Sequence, residues 1–143
     1  IPGSRAIEYG DFVLMDFGCQ YDGYLSDMTR TVVVGRANAR QKEVYELCRR
    51  MTEDTERAIR PGASGTDCFQ ASLEAIRDTE YFPYHYTGIG HGVGLFVHEL
   101  PFIGRNCTDV LKEQRDDGRT GDLYSGLGRR QGGRPGPHHS RGI

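Results

Sequence analysis

Phe12-Val13-Leu14-Met15-Asp16-Phe17 is a short, mostly apolar run, and Gly10-Asp11 ahead of it signals a turn. Such a run between turn residues predicts a largely buried strand. Tyr24 to Val34 carries Thr29, Thr31, Val32, Val33 and Val34 and stops at Gly35. That β-branched content predicts the returning strand. Gly18-Cys19-Gln20-Tyr21-Asp22-Gly23 between them has Gly at both ends and Asp-Gly inside, which predicts a hairpin. From Ala39 to Arg60, Val44, Leu47, Cys48, Met51, Thr55, Ala58 and Ile59 recur at helical spacing until Pro61-Gly62, so a helix is expected there. A second helix is predicted from Ser64 or Thr66 as N-cap, with Phe69, Leu73 and Ile76 on one face. The aromatic stretch 81–86 then leads into a Gly- and His-rich segment, Thr87 to Pro101, read as further sheet. Strands, then helices, then more sheet define an α+β class.

The length of 143 residues allows one domain. A hydrophobic fraction of 36%, a charged fraction of 27% and a net charge of −2 describe a soluble globular chain. No stretch of about 18 apolar residues exists to span a membrane. The near-neutral balance gives no reason to expect nucleic acid or an anionic membrane as partner. The opening Ile1-Pro2-Gly3 lacks the basic and apolar regions of a signal peptide and reads as a cut end. Cys19, Cys48, Cys68 and Cys107 form no CxxC or zinc pattern. Free thiols in a cytoplasmic protein are expected.

Composition changes abruptly near Gln114. Residues 1–113 hold 12 Lys and Arg against 17 Asp and Glu, whereas residues 114–143 hold six Arg, three Asp and no Glu. Eight of those last 30 residues are Gly, and apolar residues nearly vanish. Such a stretch buries too little apolar surface to offset its ordering entropy. The domain is therefore placed at 1–113, with 114–143 expected to be a disordered or non-native tail.

Two carboxylates in the hairpin carry the first candidate chemistry. With a two-residue loop at Tyr21-Asp22, Asp16 would face Asp27, and any even-length loop keeps both on one face. Asp16, between Met15 and Phe17, is expected to be buried. Two buried like charges need a shared proton, an arginine or a metal. Arg30 lies on the opposite face by parity, and carboxylate oxygens suit divalent ions. A second candidate lies in Gly88-Ile89-Gly90-His91-Gly92-Val93-Gly94-Leu95-Phe96-Val97-His98-Glu99. Four glycines around His91 mark a shaped loop. Strand parity separates His91 from His98, so a bend is needed if both serve one site. His85, in the aromatic stretch, is a weaker candidate.

Together, Asp16-x-Gly18, Gly23-Tyr24-x-Ser26-Asp27-Met28-Thr29-Arg30-Thr31 and Gly88-x-Gly90-His91-Gly92-Val93-Gly94 with His98-Glu99 resemble the M24 metallopeptidase family. This is the pita-bread group of methionine aminopeptidases, Xaa-Pro aminopeptidases and prolidases. Asp-Met-Thr-Arg-Thr and Gly-His-Gly-Val-Gly are most similar to its bacterial Xaa-Pro peptidase branch. The resemblance implies a truncated pita-bread catalytic domain that hydrolyses N-terminal Xaa-Pro bonds, with a peptide carrying Pro at its second position as substrate. It implies two divalent ions per site, manganese or cobalt, with zinc or iron as further candidates. Asp16 would be a bidentate ligand of the first ion, Asp27 would bridge both and His91 would bind one. His98 would act catalytically, donating a hydrogen bond to the substrate and the tetrahedral intermediate, a role worth about 2.7–4 kcal/mol where single donors have been removed. A homodimer of the full-length protein stays open.

The chain departs from the family pattern in two places. Many members carry His four positions before the ligand His, where this chain has Thr87; His85 is the substitute candidate for substrate binding. The family's two Glu ligands lie downstream, yet no Glu follows Glu113. Codons compatible with residues 115–138, read one base on, permit Glu-Pro-Gly-Ile-Tyr and Gly-Gly-Val-Arg-Val-Glu-Asp in the family's order. The tail is thus expected to be an out-of-frame product, the alternative being an Arg/Gly tail that touches RNA or phosphates. Poor stability and little or no peptidase activity are expected of the chain as it stands. The alternatives are a creatinase-like C–N hydrolase, which would not need the Asp16/Asp27/His91 set, and a non-catalytic pita-bread binding module.

Overall fold

A computed structural model describes residues 3–112. The tail from 114, with its expected disorder and its shifted reading frame, lies outside the described residues. Strands β1 (Phe12–Phe17), β2 (Gln20–Tyr21), β3 (Tyr24–Leu25) and β4 (Met28–Val33) come first. Helices α1 (Ala39–Ala58) and α2 (Gly65–Leu73), a 3-10 turn at Phe82–Tyr84, and strands β5 (Gly88–Gly92) and β6 (Glu99–Gly104) follow. The α+β reading holds, but the described strands form three separate antiparallel two-stranded ribbons: β1–β4, β2–β3 and β5–β6.

The predicted returning strand breaks at Ser26-Asp27 into β3 and β4. Its register also differs from the expected one. Tyr21 pairs with Tyr24, so the turn is centred on Asp22-Gly23 rather than on Tyr21-Asp22. The reason is backbone conformation: a two-residue hairpin turn with φ above zero at both central positions suits the twist of the flanking strands. Asp22 at φ 50° and Gly23 at φ 84° supply it, and bulky Tyr21 is poorly suited to do so. Asp16 therefore faces Thr29, not Asp27, and Leu14 faces Thr31.

The expected burial of β1 is also corrected. Apart from Val13, all its residues are exposed, Asp16 included, and Leu14 is 64% exposed. The edge of the ribbon at Phe12 and Val33 shares a cavity with Gln41, Tyr45 and Arg49 of α1, while Leu14, Met15 and Phe17 stay exposed. Exposed Asp16 is solvated, and the desolvation pressure for a cation there disappears.

Packing concentrates elsewhere. Cys68, Phe69, Leu73 and Ile76 of α2 and its following turn join Ile103 of β6, Ala63 and Leu111 in one buried cluster. From α1, Leu47, Met51 and Ala58 pack onto its rim. Both helices start where side-chain capping satisfies the first backbone N–H groups. Asn38 and Gln41 form a capping box for α1, and Ser64 and Asp67 form one for α2. Ser64 Oγ accepts from Asp67 N at 3.1 Å, while Asp67 Oδ2 accepts from Ser64 N and Ser64 Oγ, both at 2.8 Å.

The bonds donated from Ser64 hold the Asp67 carboxyl below the usual carboxylate range. Because the folded value is the lower one, this contribution is complete above the unfolded value of about 3.9 and fades as pH falls through the folded value. Acid denaturation followed by circular dichroism should therefore show a shallower fall in stability below pH ~4 for Asp67→Asn. Ser64→Ala should cost about 1 kcal/mol in urea denaturation at neutral pH.

Candidate metal centre

The first wall of the site comes from the N-terminal ribbons. Thr29 Oγ1 donates to Asp16 Oδ1 at 3.0 Å, fixing that carboxylate from the facing strand. Asp27 sits in the break between β3 and β4. The break is held by Ser26, whose N donates to Cys19 O at 2.9 Å and whose Oγ accepts from Cys19 N at 3.0 Å. Gly18 makes this crossing feasible, because a Cβ there would lie 2.0 Å from Ser26 O.

The second wall is the β5–β6 hairpin. Gly92 pairs with Glu99, and the register shifts between His91 and Gly92. Residues 93–98 lie outside both strands. This is the bend that the two histidines require, and their ring centroids come within 4.1 Å at an interplanar angle of 43°. Leu25 N donates to Gly94 O at 2.8 Å and ties the bend to the ribbon.

The two walls bring Asp27, His91 and His98 together, with one ligating atom of each within 4.8 Å of the others. His91 Nε2 stands 3.6 Å from Asp27 Oδ2, and each of these side chains is only 14% exposed. His91 Nδ1 lies 3.0 Å from Gly92 O. A carbonyl only accepts, so Nδ1 carries the hydrogen, which leaves Nε2 as the ring's ligating atom, turned toward Asp27. Two imidazoles and a carboxylate around one point form a donor set fit for a divalent ion of borderline softness.

These three residues and Asp16 line one open cavity of about 550 Å³, together with Gly18, Cys19, Ser26, Thr29 and Val97. Asp16 shares the cavity but does not join the three-residue group. Arg30 faces Met15 and donates to Thr29 O at 2.7 Å, away from the cavity lining. His85 lies elsewhere: its ring stands 5.9 Å from that of Phe69 and 5.0 Å from that of Phe82, and Nε2 is 3.2 Å from an Arg105 nitrogen. Sequence reasoning missed Thr29 as the support for Asp16 and Ser26 as the clasp of the break. Thr29 becomes visible only once the turn is assigned to Asp22-Gly23, which sets the register.

The fold has counterparts among known proteins. The metallopeptidase family M24 model matches residues 1–115, and the chain belongs to that family. An Xaa-Pro dipeptidase of Pyrococcus furiosus is 38% identical over 113 residues, covering 79% of this chain and 32% of the relative. A solved prolidase from the same organism superposes with a TM-score of 0.73 at 39% identity, covering 78% of this chain and 33% of that one. An X-Pro aminopeptidase from Thermotoga maritima gives a TM-score of 0.73 at 32% identity, over 78% of this chain and 32% of its own. The chain thus carries part of the pita-bread fold and spans about a third of the length of the curated relatives it matches. Among the described residues, no helix is long and apolar enough to cross a membrane.

Proposed function

We propose that this chain contributes part of the metal centre of a peptidase acting on N-terminal Xaa-Pro bonds, in a cytoplasmic setting. The observation that carries this reading is the convergence of Asp27, His91 and His98 on one point of a cavity that Asp16 also lines. The names of the relatives, Xaa-Pro dipeptidase and X-Pro aminopeptidase, supply the substrate class.

Asp16, Asp27 and His91 would hold divalent metal, manganese or cobalt by the family pattern. Metal bound there would polarise a scissile carbonyl and lower the pKa of a water. The protein's own groups do the rest. Thr29 orients the Asp16 carboxylate, and Gly92 O fixes the His91 tautomer. His98, exposed on the bend, would donate to a peptide oxygen.

Of the five ligands of the family pattern, Asp16, Asp27 and His91 lie among the described residues. Calorimetry with Mn²⁺ or Co²⁺ should show weak binding of one ion per chain, lost in Asp27→Ala. Hydrolysis of an Xaa-Pro dipeptide with Mn²⁺ should stay near background. Tight binding of two ions, or turnover of about 1 s⁻¹ or faster, would show that the ligand set is complete. Binding unchanged by Asp27→Ala would remove the metal centre from this cavity.

A further inference from the structure

The β1–β4 ribbon has two long edges, and only one of them is guarded. We infer that the outer edge of β1 pairs antiparallel with the same edge of a second copy of this chain. Two ribbons then join into one four-stranded sheet about a twofold axis, and the pairing needs no metal.

A two-stranded ribbon is marginal by itself, and an unpaired edge offers its N–H and C=O groups to another strand. Among the described residues, no strand pairs the outer edge of β1. The β4 edge is protected in two ways. Arg30 places a charge on that strand and donates to Thr29 O at 2.7 Å. Thr31, Val32 and Val33, from both faces of β4, line a cavity of about 420 Å³ with Lys42, Tyr45 and Glu46 of α1, so the helix flanks that edge. β1 lacks such guards: Phe12–Phe17 holds no Lys, Arg, Pro or Gly. Its one charge, Asp16, is held by Thr29 from the facing strand, and Leu14, Met15 and Phe17 are exposed along it.

Symmetry and charge select a second copy as the partner. A twofold axis normal to the sheet keeps each face on its own side. With Met15 on that axis, Val13 faces Phe17 of the second copy and the two Met15 side chains meet. The result is an apolar row of the kind that stabilises facing strands. Asp16 faces Leu14 of the second copy, so the two Asp16 carboxylates never stand opposite each other; a parallel in-register pairing would stack them. The joined sheet ends at two guarded β4 edges, so growth stops at the dimer instead of continuing as a fibre. Residues 13–17 facing one another make a small interface beside the about 1,200–2,000 Å² of stable complexes, which puts half-association at roughly 10–100 µM.

Sedimentation equilibrium of the full chain, with a chelator and a thiol reductant present, should show the mass rising from 16.0 kDa toward twice that between about 5 and 300 µM. Hydrogen exchange at the two concentrations should slow several-fold at residues 12–17 and stay unchanged at residues 93–98. Met15→Lys, which sets two ammonium groups together on the axis, should raise the dissociation constant at least about tenfold, whereas Phe96→Lys on the exposed bend should leave it within about twofold. A chain that stays monomeric at the upper concentration overturns the proposal. So does association whose protection falls outside residues 12–17, or growth beyond the dimer. The exchange pattern needs no variant, so it decides the matter even if Met15→Lys misfolds.

Discussion

Replacing His91 with alanine is expected to abolish divalent-ion binding by this chain. His91 belongs to both donor sets that the cavity offers, the one with Asp16 and Asp27 and the one with Asp27 and His98. Its ring has its tautomer fixed by a backbone carbonyl, with Nδ1 at 3.0 Å from Gly92 O. Its Nε2 and the Asp27 carboxylate, both largely shielded from water, face each other across 3.6 Å. Losing only an outer partner of a metal ligand commonly costs about 10–100-fold in affinity, and losing the ligand itself costs more. Co²⁺ calorimetry should therefore detect no binding in His91→Ala, with the circular dichroism of the metal-free chain unchanged. His85→Ala, away from the cavity, should bind as the parent does. Retention of Co²⁺ affinity within about threefold in His91→Ala would contradict the assignment.

Phe69→Ala should have the largest effect on stability. Phe69 is 1% exposed and is the bulkiest fully buried side chain among the described residues. It sits where α2 meets β6 and the rim of α1, so truncation opens a void between elements. Burying Phe and then deleting it typically costs about 3–5 kcal/mol, a large part of the ~5–15 kcal/mol that holds a domain together. This core is small, which puts the chain toward the lower end. Urea denaturation should show the midpoint falling by more than about 1 M, given slopes of roughly 1–3 kcal/mol per M, or no cooperative transition at all. Phe82→Ala, at a side chain 36% exposed, should shift it far less. Equal shifts for the two variants would mean that the cluster around Phe69 does not govern stability.

The helices and the two histidines were legible in the sequence for local reasons. Ser64 and Asp67 are separated by the capping-box spacing, and the predicted face of Phe69, Leu73 and Ile76 is buried. The need for a bend between His91 and His98 followed from strand parity alone, and residues 93–98 provide it. The family resemblance rested on short motifs that hold up over residues 1–115. What failed was non-local. Apolar side chains at Phe12, Leu14 and Phe17 read as buried because the sequence does not say whether another layer exists to cover them. The Asp16 partner was misassigned because a turn shifted by one residue moves every facing pair by two, preserving parity while changing the partner. The meeting of Asp27 with His91 joins two ribbons far apart in sequence, and spacing alone cannot report that.

The two walls of the cavity are joined near the site by a single described backbone bond, from Leu25 to Gly94. An ion gripped by residues 27 and 91 would act there as a second tie between the walls, across a segment that itself folds into β4, α1 and α2. Because such an ion binds only the assembled form, its concentration would set how often the ribbon and the hairpin stand closed. Ion supply would then govern the architecture of this region as well as its chemistry.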